Sequence, residues 1–92
     1  MAVGAKEKEL ERVLKALANR RRLAILVFLK KQKEASVGRI AEELKLSIKA
    51  TSKHLALLAG VGILDKEQRS TQVFFSVAPD SPEASKRVMH LL

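Results

Sequence analysis

Residues 36–62 hold two amphipathic helix patterns with almost no chain between them. That pairing limits the possible folds more than any other feature. In the first pattern Val37, Ile40, Ala41 and Leu44 recur at the i, i+3, i+4, i+7 spacing of one packed helix face. The second starts at Ser47, packs Thr51, Leu55 and Leu58, and turns Lys49, Ser52, Lys53 and Ala56 the other way. Two helices joined by so tight a turn form a helix-turn-helix. The outward face of the second is small, basic and free of acids. Small side chains let a DNA major groove approach closely, and lysine and serine reach base edges and phosphates.

The flanking chain supplies a body for this pair. Lys6 to Leu17 reads as a helix with Leu10, Val13, Leu14 and Leu17 on one stripe. Asn19 is a good N-cap for a second helix running from Arg20 to about Gln32. Leu23, Ile25, Leu26 and Leu29, broadened by Val27 and Phe28, mark that helix as central. Its first turn carries Arg20, Arg21 and Arg22, although positive charge there opposes the helix dipole. Pairing or solvation is expected for Arg22, and phosphate contact for Arg20 and Arg21. A short strand is expected within Glu34 to Val37, with Ser36 capping the next helix. Lys45 occupies the turn between the paired helices, where a left-handed backbone favours glycine.

After Gly60 or Gly62, Ile63 to Glu67 and Gln72 to Val77 read as strands joined by Gln68-Arg69-Ser70-Thr71, a β-hairpin. Phe74 and Phe75 are adjacent, so they point to opposite faces of their strand. Asp80 or Ser81 is the expected cap of a last helix, with Pro82 in its first turn and Val88, Leu91 and Leu92 on its apolar face. The expected fold is mainly α with a small β-hairpin, ordered α-α-α-α-β-β-α, in a single domain over residues 1–92.

Charge narrows the partners. The chain carries 18 Lys/Arg against 10 Asp/Glu, a formal net charge of +8 that favours a polyanion. Much of the excess lies in the N-terminal half, with no acid between Arg12 and Lys33. The absence of cysteine excludes disulfides and thiolate metal sites. No signal peptide and no membrane span is expected, since the apolar runs are far shorter than about 18 residues. A cytoplasmic protein is expected. An enzyme is not, because neither histidine neighbours a nucleophile motif and there is no glycine-rich phosphate loop. Three aromatics are too few for a single-strand stacking platform.

This order of elements is that of a winged helix-turn-helix. Over about residues 8–78 the chain resembles the arsenic-repressor-like (ArsR/SmtB) family of bacterial and archaeal transcription regulators. Leu14-Lys15-Ala16-Leu17-Ala18-Asn19 followed by Arg22-Leu23-Ala24-Ile25-Leu26 is similar to that family's approach to its second helix. Val37 to Leu44 resembles its first helix-turn-helix element. Leu46-Ser47, Thr51-Ser52-Lys53-His54-Leu55, Leu58 and Gly62-Ile63-Leu64 resemble its recognition helix and exit. Phe74-Phe75 stands where the family often has paired aromatics on the returning wing strand. Many members bind metals through Cys-x-Cys, but the matching positions here are Ser36 and Gly38. A second family site uses acids and histidines on the last helix, where this chain offers only His90 and a distant Glu83. His54 matches a family histidine that is structural or backbone-contacting. No metal and no other cofactor is expected.

The resemblance implies repression of transcription and no known effector. One small module contacts few base pairs, so a homodimer on a pseudo-palindromic operator is expected. The expected helix-turn-helix spans about residues 36–62, the wing about 63–77, and the dimerisation helices about 6–17 and 82–92. The expected DNA-binding residues are Ser47, Ile48, Lys49, Ala50, Ser52, Lys53, Arg69, Arg20 and Arg21. The expected dimerisation residues are Leu10, Val13, Leu14, Val88, Leu91 and Leu92. The rival reading is a winged-helix adaptor that binds protein and no DNA. It sits poorly with a basic face on which Ile48 is the one bulky apolar residue.

Overall fold

The computed structural model describes residues 2–92. The chain runs α1 (Ala5–Leu17), α2 (Arg20–Gln32), β1 (Glu34–Ser36), α3 (Val37–Leu44), α4 (Ile48–Gly60), β2 (Leu64–Arg69), β3 (Gln72–Val77) and α5 (Glu83–Leu91). No helix among the described residues is long and apolar enough to cross a membrane.

Local chemistry sets the helix starts. Asn19 is extended, and its Oδ1 accepts from the backbone N–H groups of Arg21 (3.0 Å) and Arg22 (3.1 Å). Ser36 Oγ accepts from Arg39 N–H at 3.2 Å, and Ser47 Oγ from Ala50 N–H at 3.0 Å. Each cap satisfies amides that the helix itself leaves free. Lys45 ends α3 in the left-handed region at φ 55°, and Gly62 follows α4 at φ 82°. Only Gly62 adopts that conformation without a side-chain clash.

Ile25, Leu26 and Leu29 of α2, Ile40 of α3, Leu55 and Leu58 of α4, and Ile63 form the centre of the core, each 1% exposed or less. Val13 and Leu17 of α1, Leu64 and Phe75 of the sheet, and Met89 of α5 close around it. Buried Thr51 is satisfied inside α4, its hydroxyl donating to Ser47 O at 2.8 Å.

The sheet is antiparallel with order β1-β3-β2. Phe75 pairs with Ala35 and Lys66 and enters the core, whereas Phe74 pairs with Ser36 and Glu67 on the other face. The hairpin turn is tighter than expected. Arg69 is still in β2, paired with Gln72, and Ser70-Thr71 alone make the turn, Ser70 at φ 56°. The last helix also starts differently. Pro82 holds the N-cap position with no side-chain cap, and the Ser85 hydroxyl donates to Pro82 O at 2.6 Å. Ser81, expected as a cap, is buried instead.

Candidate nucleic-acid interface

The first turn of α4 presents Ser47, Ile48, Lys49, Ser52 and Lys53 to solvent, with Ala50 half-buried. Thr51, Leu55 and Leu58 anchor the opposite side in the core. Ile48 is 55% exposed on the face that α4 turns to solvent. A cleft of about 310 Å³ separates this end of α4 from the wing, lined by Ser36, Gly38, Ile48, Ser52, Thr71 and Gln72. Ser36 and Gly38, at the start of α3, therefore line this cleft, with the Ser36 hydroxyl committed to capping α3.

The three arginines that open α2 part company. Arg22 turns back over the end of α1, donating from Nε to Ala16 O (2.6 Å) and from Nη2 to Lys15 O (3.0 Å). Those carbonyls belong to the negative end of the α1 dipole, which explains a cation at a position unfavourable to α2 itself. Arg22 Nη1 also meets His54 Nδ1 of α4 at 3.3 Å. Arg20 and Arg21 stay exposed, and Arg21 lies close enough to α4 for its charge to help hold the His54 ring below its usual value, after burial and Arg22.

Ion pairs take up most of the glutamates. The carboxylates of Glu9, Glu11, Glu34, Glu42, Glu43, Glu67 and Glu83 each pair with an arginine or lysine of α1, α3, the sheet or α5. Among the described residues, Arg20, Arg21, Lys49 and Lys53 have no such partner. Lysines elsewhere, Lys31, Lys33, Lys45 and Lys66 among them, also lie outside these pairs; what marks Lys49 and Lys53 is the acid-free outward face of α4. Arg69 is placed elsewhere, directed across the sheet to Glu34 and Glu67.

The expected dimerisation residues divide. Leu10 (45% exposed), Leu14 (46%), Leu91 (83%) and Leu92 (37%) remain on the surface. Val13 does not, being 2% exposed in the core of its own chain, and Val88 is half-buried against that core. The helix stripe was wide enough to span both faces, and α5 packing on α1 takes Val13 inward. Sequence reasoning missed Lys30, whose Nζ donates to Met89 O at 3.0 Å and fastens α5 to α2. A lysine without an acid at helical spacing gives no sequence signal for such a bond.

A capped, core-anchored helix after a tight turn, flanked by a hairpin and backed by unpaired cations, defines a winged helix-turn-helix DNA-binding protein. The profile of the bacterial regulatory protein arsR family matches residues 19–66, and this chain belongs to that family of transcription regulators. It is 38% identical over 80 residues to the transcriptional activator HlyU of Vibrio cholerae, covering 87% of this chain and 73% of that protein. The structure of HlyU from Vibrio cholerae superposes with a TM-score of 0.79 at 34% identity, over 97% of this chain and 92% of that one. The homodimeric winged helix-turn-helix DNA-binding domain Mb0332 from Mycobacterium bovis superposes with a TM-score of 0.80 at 31% identity, covering 99% and 85%.

Proposed function

We propose that this protein is a cytoplasmic, homodimeric regulator that binds a pseudo-palindromic operator in double-stranded DNA and represses transcription by occupying it. It acts by binding and has no catalytic role. The observation that carries the reading is the outward face of α4, where Ser47, Lys49, Ser52 and Lys53 are exposed with no acid beside them while Thr51, Leu55 and Leu58 lock the other side into the core. Ser47, Lys49, Ser52 and Lys53 face bases and phosphates of the major groove, Ile48 and Ala50 meet thymine methyls, and Arg20 and Arg21 hold flanking phosphates. Two copies join through Leu10, Leu14, Leu91 and Leu92, which cover one another's exposed apolar surface. The homodimeric relative supports that assembly.

Selection from random duplex DNA tests the reading. Enrichment of one two-fold-symmetric site, whose placement over a promoter lowers expression in a reporter, is the expected result. Failure to enrich any duplex removes DNA recognition, and a rise in expression reverses the sign of regulation.

A further inference from the structure

Every nitrogen of the Arg69 guanidinium has a carboxylate partner. Nη1 and Nη2 donate to the two oxygens of Glu34, both at 2.7 Å, and Nε (3.0 Å) and Nη2 (2.7 Å) donate to Glu67 Oε1. The guanidinium also covers the Phe74 ring, its carbon 4.6 Å from the centroid. Fork-to-carboxylate pairing and stacking together fix a side chain more firmly than either alone. The hydrogen bonds from Arg69 hold the Glu34 carboxyl below its usual value.

The register shows what this joins. Phe74 on the central strand faces Ser36 of β1 and Glu67 of β2. Glu34 and Arg69 lie two residues from those positions on the two outer strands, so all share one sheet face. Arg69 therefore bridges the whole sheet, from the tip of the wing to the strand that runs straight into α3. Asp65 shares that face too. Three carboxylates and one guanidinium leave it net acidic, a surface that repels phosphate.

We propose that Arg69 is a positioning residue of the wing and not a DNA contact: by clamping β2 to Glu34 over Phe74 it fixes the hairpin against β1, and so against the helix-turn-helix that starts at Ser36. This rests on the DNA-binding reading given above. A wing held in place before DNA arrives does not have to be ordered on binding, and that preorganisation is what the clamp contributes.

The test compares E34Q, R69K, R69A and the exchanged pair E34R/R69E by fluorescence anisotropy on the selected operator, with amide exchange of residues 34–36 and 72–77 in the free proteins. E34Q adds one unit of positive charge yet is expected to weaken binding, roughly threefold to tenfold. R69K weakens it to the same degree, because an ammonium lacks the fork. R69A leaves the slope of log affinity against log salt unchanged, and E34R/R69E, which keeps one guanidinium between two carboxylates, recovers most of the loss. Tighter binding by E34Q, or a slope reduced by about one in R69A, would make Arg69 a phosphate contact and overturn the proposal. Should the unmodified protein bind no duplex, the functional reading fails and exchange alone judges the clamp. Faster exchange in E34Q and R69K supports it, and unchanged exchange overturns it.

Discussion

Arg22 and His54 face each other at 3.3 Å, Nη1 to Nδ1, and so tie α2 to α4. A guanidinium only donates, so Nδ1 is the acceptor and the ring is neutral with its proton on Nε2. Arg22 at the same time holds the last carbonyls of α1. Three helices thus meet at one side chain.

Stability should therefore fall in mild acid. Burial, then Arg22 and then Arg21, lower the His54 pKa from its ordinary 6.5. Between the native and unfolded values the unfolded chain binds more protons, so acid favours unfolding there. The loss starts as the pH drops through about 6.5 and ends once the native value is passed. Thermal unfolding followed from about pH 8 to about pH 5.5 checks it. H54N keeps an acceptor near the Nδ1 position without titrating and should flatten the curve. An equally steep curve in H54N would assign the effect to another group.

On DNA, the two groups of cations should separate. Lys49→Ala and Lys53→Ala are each expected to cost about 1–3 kcal/mol on the operator and to narrow its advantage over random sequence. Arg20→Ala and Arg21→Ala should weaken both kinds of DNA alike and reduce the salt dependence. Competition titrations at two salt concentrations measure both. Lysine variants that retain full operator preference would move base reading away from α4.

The proposed dimer joins through leucines left on the surface, Leu10, Leu14, Leu91 and Leu92. Replacing Leu91 and Leu92 with glutamate should give folded monomers with much weaker operator binding, because a single module buries little surface on DNA. Sedimentation equilibrium of the variant and of the unmodified protein decides the point. A monomeric unmodified protein at tens of micromolar concentration is incompatible with the proposed dimer.

Lys45→Gly should stabilise the domain, against the usual direction for glycine. Lys45 sits at φ 55°, where a β-carbon is crowded. Relief of that strain exceeds the added freedom of the unfolded chain, for a net gain of about 0.5–1 kcal/mol. Chemical denaturation measures it, and a loss of stability would show that Lys45 contributes a contact that outweighs the strain.

The sequence carried the helix-turn-helix because its determinants are local. Asn19, Ser36 and Ser47 cap helices within three residues of themselves, and Thr51, Leu55 and Leu58 declare their buried face by spacing alone. What was lost depends on how the elements pack against one another. Arg22 finds α1 carbonyls only after two helices have packed. Val13 goes inward because α5 returns to α1 from the other end of the chain. Arg69 meets Glu34 across 35 positions, a pairing that no helical or strand periodicity encodes. Pro82 takes the cap position from Asp80 and Ser81 because Ser81 is drawn into the interior.

Ser36 is both the last residue of β1 and the cap of α3, so no slack separates sheet from helix. A residue inserted there would turn every side chain of α3 by about 100° and take Ile40 out of the core. At Ser70-Thr71, by contrast, added residues would only lengthen an exposed tip. Length is therefore negotiable at the tip of the wing and forbidden where β1 runs into α3. An engineer extending this protein's reach, or grafting a peptide onto it, has the tip to work with and must leave the junction at Ser36 untouched.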